Sequence, residues 1–335
     1  MRLRLKTVSI ALLVLLLSVA LLVCAVTRIV SFVNLFFEHS GIALTQAEVA
    51  RAHNASDPDP RPQVIPKITH QVFHNWRDPG NDTLPVDWIA ARQTCIDRNP
   101  DWNHMLWTEK ASRDLIATEY PWFLNTYDGY RFPVQRVDAI RYFLILHYGG
   151  IYIDLDHACP TSLEPLLYYP AWIADSGRDT LNNNILAGRP NHPFWSLLAQ
   201  SLRAYDYNYV FPYITISYAS GQWFETDIWE KYHAMLPDPD KAGSQENRLY
   251  RLIMENENTD GWIFFTQERG GTWKNWDNQL FLWIGDNLAL LALGVCVILG
   301  LATWLAVRAV RRMRRRTRGY IPLEGRPDKD DDDFA

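Results

Sequence analysis

The hydrophobic pattern of this 335-residue chain divides it into two apolar ends and a long mixed centre. The first apolar run, Val8–Val26, is longer than the core of a cleaved signal peptide, and no small-residue cleavage pattern follows it. We therefore expect an uncleaved signal anchor over 8–28. The second run, Leu288–Val307, contains no charge and is also long enough to span a bilayer. The pattern predicts two transmembrane helices with a folded region between them.

Within the centre, short apolar stretches of β-prone residues alternate with segments of helical periodicity. The predicted series is strand 65–73, helix 86–98, strand 102–107, helix 109–120, helix 136–148 and strand 151–153. The helix 136–148 is apolar on nearly every side and ends at Gly149 and Gly150, because glycine takes the left-handed cap conformation at no steric cost. Strand–helix alternation predicts an α/β fold with parallel strands and crossover helices.

Two aspartates, Asp154 and Asp156, follow the strand 151–153 directly. On an extended backbone alternate side chains point the same way, so both carboxylates are expected on one side. Adjacent carboxylates repel unless a cation neutralises them, and Mg²⁺ or Mn²⁺ prefers such oxygen ligands beside a phosphate. Asp138 and Arg141 lie one turn apart on the preceding helix. Taken alone, this pair is typical of an intrahelical ion pair, and an isolated D-x-D is more often a solvated turn.

The combined pattern D-x-x-R…Y-G-G-I-Y-x-D-x-D resembles the donor-binding core of the DXD glycosyltransferases, and in particular glycosyltransferase family 32. Fungal members of that family include the mannosyltransferases that make mannosylinositol phosphorylceramide, and the core is also similar to that of the large clostridial glucosylating toxins. The resemblance implies a GT-A-like nucleotide-sugar-binding domain. It implies that Asp138 and Arg141 bind the donor sugar, that Asp154 and Asp156 are the catalytic metal–diphosphate pair, and that Tyr152 lines the donor site.

Other positions match the family less closely. The stretch Ile65-Pro-Lys-Ile-Thr-His-Gln resembles the family's opening strand, and Trp76 after it would stack on the base or be structural. Asn183 falls where relatives place an amide near the donor sugar, although three adjacent asparagines are also common in turns. The resemblance further implies Glu268 as a third metal ligand and Trp273 as a diphosphate contact. The family's Ser-Ser-Trp-His is Gly-Thr-Trp-Lys here, so a variable surface loop stays an alternative. The aromatic-rich segment 211–229 falls where family members form part of the acceptor site, and its residue types assign no individual roles.

Charge places the chain relative to the membrane. Three basic residues precede the first apolar run, and an arginine cluster within 308–318 follows the second. Because basic residues mark the cytoplasmic side of a span, both termini are predicted cytoplasmic and the centre lumenal. Beside a span, such a cluster is typical of topology or anionic-lipid contact, so no nucleic-acid partner is expected. The predicted divisions are N-terminus 1–7, anchor 8–28, stem 29–64, lumenal GT-A-like domain 65–285, second span 288–307, and basic-then-acidic tail 308–335.

Cysteines and sequons add a limited test of the lumenal assignment. Cys95 and Cys159 are the two cysteines outside the predicted spans, and they are either bridged in an oxidising compartment or buried as free thiols. Asn54 and Asn81 begin acceptor sequons for N-glycans. Both features agree with a lumenal domain without establishing one.

The resemblance implies a retaining, Mn²⁺- or Mg²⁺-dependent mannosyltransferase of the Golgi membrane. It would move mannose from GDP-mannose to inositol phosphorylceramide, and the family leaves room for a regulatory membrane subunit. One alternative is a transferase acting on protein-linked glycans, whose soluble acceptor would not require a second span. Another is an inactive membrane scaffold or regulatory subunit, which would have no use for clustered carboxylates.

Overall fold

The computed structural model describes residues 2–37, 39–54, 61–176, 180–236, 247–254, 263–267 and 275–318. The chain divides into two compact units, Met1–Asn275 and Trp276–Ala335. The helices are α1 (Arg2–Asn34), α2 (Gln46–His53), α3 (Val86–Arg98), α4 (Glu109–Glu119), α5 (Leu124–Gly129), α6 (Pro133–Tyr148), α7 (Pro193–Tyr205), α8 (Pro212–Ala219), α9 (Gln222–Met235), α10 (Asn278–Asp286) and α11 (Leu288–Arg318). The strands are β1 (Ile42–Thr45), β2 (Ile68–Phe73), β3 (Asn103–Thr108), β4 (Gly150–Ile153), β5 (His157–Ala158), β6 (Ala171–Asp175), β7 (Asn182–Gly188), β8 (Tyr250–Ile253) and β9 (Thr266–Gln267).

A seven-stranded sheet with the order β1-β8-β6-β7-β4-β2-β3 forms the centre of the first unit. The predicted α/β class is confirmed, and β2 runs parallel to β3 and to β4, as the strand–helix alternation predicts. Strand β7, whose direction the sequence did not indicate, runs antiparallel to both β4 and β6. The connection 176–181 between β6 and β7 explains the difference. A parallel pair requires a crossover of about a dozen residues or more, so this short link permits only an antiparallel neighbour.

Helix α6 lies in the core behind the sheet, as its apolar sequence predicts. Ile140, Phe143 and Leu144 are all fully buried. Gly150 then begins β4 with φ of 97°, and a Cβ atom there would lie 2.6 Å from the carbonyl oxygen of Ile68. Only glycine therefore lets β4 leave α6 and run directly alongside β2, which places the end of β4 beside the end of β2.

The folded unit begins well before residue 65, so the predicted stem over 29–64 is wrong for part of its length. Strand β1 pairs with β8 at the edge of the sheet, and α2 follows with a capping box between Thr45 and Glu48. The indole Nε1 of Trp229 donates to the carbonyl of Ser40 at 2.9 Å. The sequence pattern missed this part because a four-residue edge strand has too little periodicity to stand out.

The two terminal helices differ as membrane spans. In α11, Ala289–Ala309 has a mean hydropathy of 2.5 and is long and apolar enough to cross a bilayer. Among the described residues of α1, the apolar stretch is the shorter Val19–Asn34. One span therefore has support from length and composition, and the signal anchor over 8–28 stays a prediction.

A disulfide joins Cys95 in α3 to Cys159 after β5, which answers the question that the sequence left open. It closes a loop with a sequence separation of 64. A cross-link of that span stabilises the native state by roughly 4 kcal/mol in the chain-entropy account. The bond fixes the segment that follows the D-x-D pair against α3.

Candidate active site

A cleft of about 260 Å³ opens where β2 and β4 end side by side. Ligands commonly bind at the carboxyl ends of parallel strands, because the loops diverge there. The lining residues named by the sequence analysis are Trp76, Arg141, Asp154 and Asp156. His74, Asn75, Arg77, Thr83 and Trp88 complete the polar and aromatic part of the wall.

The two aspartates of the D-x-D motif both reach the cleft, although their backbone is not extended as predicted. The amide of His157 donates to the carbonyl of Asp154 at 3.1 Å and closes a turn. The hydroxyl of Tyr152 donates to Oδ1 of Asp154 at 2.5 Å. Nδ1 of His157 lies 3.0 Å from Oδ1 of Asp156. The turn thus brings both carboxylates to one wall and gives each of them a fixed neighbour.

Arg141 is the central group of the site. Its side chain is only 5% exposed and forms ion pairs with Asp138 at 3.1 Å and with Asp154 at 3.5 Å. The guanidinium also donates to the carbonyl of Asn183 at 2.5 Å and lies 4.8 Å from the ring centre of Tyr152. Burial works to lower the pKa of Arg141, but Asp154, Tyr152 and Asp138 together raise it. Arg141 therefore stays charged in a position that is almost closed to water.

Asp138 and Asn183 lie behind Arg141, outside the lining of the cleft. The amide Nδ2 of Asn183 donates to Oδ1 of Asp138 at 3.1 Å, and the hydroxyl of Ser220 donates to Oδ2 at 3.1 Å. Burial raises the pKa of Asp138 to about 6, with Arg141 opposing the shift. Tyr152 is likewise buried, at 1% exposure. In this structure the predicted donor ligands Asp138, Tyr152 and Asn183 hold Arg141 and Asp154 in place.

The opposite wall follows strand β2. Trp76 is half-buried in the cleft lining, as its predicted role at the base requires. His70 is a core residue: its Nε2 lies 2.8 Å from the carbonyl of Gly149, and burial lowers its pKa to about 4. His74, which the sequence analysis missed, lines the cleft and contacts Ser112 at 3.0 Å. Burial, reinforced by Arg136 and Arg141, lowers its pKa to about 3, so it is a neutral polar group.

Glu225 is a second residue that the sequence analysis missed. It is fully buried in α9, and neither of its oxygens has a hydrogen-bond partner within the described part of the chain. Burial raises its pKa to about 8, while Arg141 lowers it and Asp138 raises it. Its neighbours Phe224, Ile228 and Trp229 are buried. An acidic residue on such a buried helical face would have been visible had a helix been assigned there.

The residues present suit a hard divalent cation. The hydrogen bonds that Asp154 and Asp156 accept from Tyr152 and His157 use Oδ1 in both cases. Burial raises the pKa of Asp154; Arg141 opposes this, and the like charge of Asp156 adds to it. A cation would relieve that repulsion. The ranges that the structure describes hold no group of three or more His, Cys, Asp or Glu side chains placed for a metal. Glu268 and Trp273 lie outside the described residues.

A match to a known protein family indicates the class of protein to which this chain belongs. Residues 85–175 match the family described as "Glycosyltransferase sugar-binding region containing DXD motif", which includes α6, β4 and the aspartate pair. This match indicates the class of the DXD glycosyltransferases.

Relatives with higher similarity define the group. Inositol phosphoceramide mannosyltransferase 2 of Schizosaccharomyces pombe is 39% identical over 238 residues, covering 70% of this chain and 66% of the relative. Inositol phosphoceramide mannosyltransferase 3 of the same organism is 35% identical over 260 residues, covering 75% of this chain and 70% of the relative. The chain belongs to this family of inositol phosphoceramide mannosyltransferases, and it spans about two thirds of the length of each relative. Among solved structures, the PaToxG glycosyltransferase matches 57% of this chain and 74% of its own at 15% identity and a TM-score of 0.35, too weak a likeness to support an argument.

Proposed function

We propose that this protein transfers mannose from GDP-mannose to inositol phosphorylceramide and forms mannosylinositol phosphorylceramide. The relatives named above support the donor sugar and the lipid acceptor. The observation that carries the proposal is the position of Arg141. It is a buried cation held between Asp138 and Asp154 at the floor of a cleft that also presents Asp156. Such an arrangement suits the sugar and diphosphate end of a nucleotide-sugar donor.

The donor would lie across the cleft from Trp76 to the aspartates. The indole of Trp76 offers an aromatic face to the guanine base. Asp154 and Asp156 would hold Mn²⁺ or Mg²⁺, which supplies positive charge for the leaving diphosphate when it is bound. Glu268 remains a proposed third ligand and Trp273 a proposed diphosphate contact. Gln267, the residue before Glu268, pairs with His157, which follows Asp156 in the chain. This pairing supports Glu268 as the third metal ligand.

On the sugar side, Arg141 would donate to the mannose and the diphosphate oxygens. Asp138 and Asn183 would orient it, and Tyr152 would orient Asp154, so these residues act on the donor through the groups they hold. The family resemblance implies retention of the sugar configuration. Because no carboxylate is assigned as a nucleophile, we propose that the acceptor hydroxyl attacks on the face from which the diphosphate leaves. The site would then work mainly by orienting both substrates and stabilising the leaving charge.

We also propose that the domain lies in the Golgi lumen, between two spans whose outer ends are cytoplasmic. The Cys95–Cys159 disulfide supports an oxidising compartment. Asn54 and Asn81 are exposed, as glycan acceptors must be. Glycosidase treatment should increase gel mobility, and Asn54→Gln together with Asn81→Gln should abolish the shift. A C-terminal tag that is protected from protease in sealed microsomes would contradict the topology. A regulatory membrane subunit is a further proposed partner.

The direct test is product analysis. Sphingolipids from cells with and without the protein are compared by mass spectrometry, and purified protein is assayed with GDP-mannose and inositol phosphorylceramide with and without EDTA. We expect a mannosylated product that depends on the protein and is lost with EDTA. A protein-dependent product on glycoproteins instead would reassign the acceptor, and transfer unaffected by EDTA would remove the metal from the proposal.

A further inference from the structure

Exposed aromatic and aliphatic side chains are concentrated between α7 and α9. Tyr207 is 64% exposed and Val210 is 89% exposed, and both belong to a folded unit with an ample core. We call Tyr207, Tyr209, Val210, Tyr218 and Trp223 the aromatic collar; the first three are exposed, Tyr218 is half-buried, and Trp223 is buried beneath them at 6% exposure. Side chains of this kind are stable in water singly, but a contiguous group commonly marks a surface that meets another apolar phase.

The collar is continuous with the end of α1. The ring centre of Phe32 lies 5.7 Å from that of Tyr218 and 5.1 Å from that of Trp223. From Tyr218 the chain of rings continues to Tyr209 at 5.9 Å and then to Tyr207 at 4.9 Å. The exposed rings are thus joined, ring by ring, to the helix that carries the first apolar run.

The position along α1 agrees with the headgroup layer of a membrane. The apolar run ends at Val26, and Phe32 is six residues further, about 9 Å at the helical rise. The headgroup layer extends roughly 5–8 Å beyond the hydrocarbon on each side, so Phe32 lies at its outer boundary. Tyrosine and tryptophan are enriched at that depth, because they combine an apolar ring with a polar edge. Arg28 is exposed between these levels, where a lipid phosphate would neutralise it.

The hairpin formed by α8 and α9 carries Tyr218 and Trp223 of the collar, and it also reaches the donor site. Ser220, between α8 and α9, donates to Asp138 at 3.1 Å, and Trp223 follows three residues later. One turn of helix rises about 5 Å, so the polar network behind Arg141 and the contact with α1 lie very close together. A lipid headgroup held at the collar would therefore be near Asp138, behind the floor of the cleft.

We propose that the aromatic collar lies in the headgroup layer of the bilayer into which α1 inserts, and that it seats the domain with its cleft close to lipid headgroups. The partner of this surface is the bilayer itself. The proposal rests on the membrane position of α1 in the proposed function, but not on the identity of donor or acceptor.

Met235 provides the matched control for exposure. It is an apolar residue, 70% exposed, at the far end of α9 from Trp223. Twelve residues of helix separate the two, about 18 Å. Between them Trp229 contacts Ser40, where the chain has already left α1, so α9 leads away from the anchor. Met235 should therefore be in water when Val210 is in the interface.

A fluorophore on a single cysteine measures this directly in the full-length protein, reconstituted in vesicles of phosphatidylcholine and phosphatidylinositol. Val210→Cys and Met235→Cys are each labelled in a Cys24→Ser/Cys296→Ser background. We expect brominated lipid to quench the label at 210 and iodide to quench the label at 235. Native Cys24, labelled with Cys296→Ser, reports whether α1 is inserted. Iodide access at 210 equal to that at 235, with Cys24 in lipid, would overturn the proposal; Cys24 in water would overturn it together with the topology.

A functional arm separates the collar from the chemistry. Tyr207→Ser with Val210→Ser should lower transfer to acceptor embedded in vesicles by about tenfold, which is about 1.4 kcal/mol. Transfer to a short-chain acceptor in detergent should be unchanged, and Met235→Ser should change neither. Equal loss with both acceptors would show a structural role and contradict the proposal. If wild-type protein transfers mannose to neither acceptor, the proposed function fails, whereas the labelling result still decides where the collar lies.

Discussion

The polar network around Arg141 and the aromatic collar meet at the α8–α9 hairpin, through Ser220 and through Tyr218 and Trp223, and have opposite surroundings. In the network, Arg141 and Asp138 are each only 4% exposed, and they contact charged or hydrogen-bonding partners. In the collar, Val210 and Tyr207 face outward with most of their surface exposed. The first region is complete within the protein and is prepared for a polar substrate. The second exposes apolar surface that is buried only beside an apolar phase. The two regions are therefore suited to different surroundings.

The largest expected effect is at the D-x-D pair. Asp154→Ala or Asp156→Ala should reduce transfer by about 10³-fold, because a ligand of the cation at the leaving diphosphate is lost. The melting temperature without metal should change little for Asp156→Ala, since removing one of two like charges relieves repulsion. Asp154→Ala should lower it, because the ion pair with Arg141 and the hydrogen bond from Tyr152 are also lost. The measurement is mannose transfer together with a thermal melt, with and without Mn²⁺ and GDP.

The control for this change is Asp114→Ala, at an exposed aspartate paired with Lys110. It should leave both transfer and melting unchanged. A double variant of Asp154 and Asp156 that still transfers mannose would contradict the metal-dependent reaction and favour a metal-free transferase.

Arg141→Ala should differ by damaging stability as well as transfer. It leaves Asp138 and Asp154 without their buried cation, and breaking a buried pair in this way costs about 3–5 kcal/mol. Denaturant unfolding in detergent at neutral pH measures the loss. The matched control is Arg113→Ala, whose pair with Asp128 at 2.7 Å is exposed and is worth at most about 1 kcal/mol. Equal losses from the two variants would mean that burial does not distinguish the network from surface pairs.

Glu225 tests the same network through pH. Its pKa is about 8 in the folded state against an ordinary value of 4.5, so between these values only the folded state holds the proton. Stability of the wild type should then fall with rising pH by about 1.4 kcal/mol for each pH unit. Glu225→Gln cannot titrate and should lack this slope. Unfolding free energies from pH 5 to pH 8 provide the comparison, and parallel curves for the two proteins would contradict a buried acid.

The smallest effect is expected where the collar meets α1. Phe32→Ala and Trp223→Ala should show a coupling energy of about 0.5–1.5 kcal/mol in a double-mutant cycle, as edge-to-face aromatic pairs do. The control cycle pairs Phe32 with Trp122, a partly exposed residue whose ring contacts are with Phe123 and Phe143. Coupling in the control cycle as large as in the test cycle would mean that the ring contact is not the cause.

Local patterns allowed the helices and strands around the site to be predicted closely. Helix α3 lies at 86–98, as predicted, and α6 ends at Tyr148 where the glycines stop it. The errors and omissions fall where partners are distant in sequence. Strand β1 pairs with β8, which lies far from it along the chain, and β7 runs antiparallel to the strands on both of its sides. Hydrophobic periodicity predicts neither the partner of β1 nor the direction of β7, because both depend on which neighbouring strand is available for pairing.

By itself the sequence determined the family, the central α6–β4 unit and the aspartates that follow it, because helical period, glycine caps and short motifs act over a few neighbouring residues. Only the tertiary structure decided the surroundings of those groups. Asn183 and Ser220 reach Asp138 from 45 and 82 residues away, and Glu225 becomes a buried acid through packing alone. The joining of the collar to α1 is equally long-range. Desolvation and contact between distant segments exist only once the chain has folded, and these set both the charge state of the site and the surface that we propose meets the membrane.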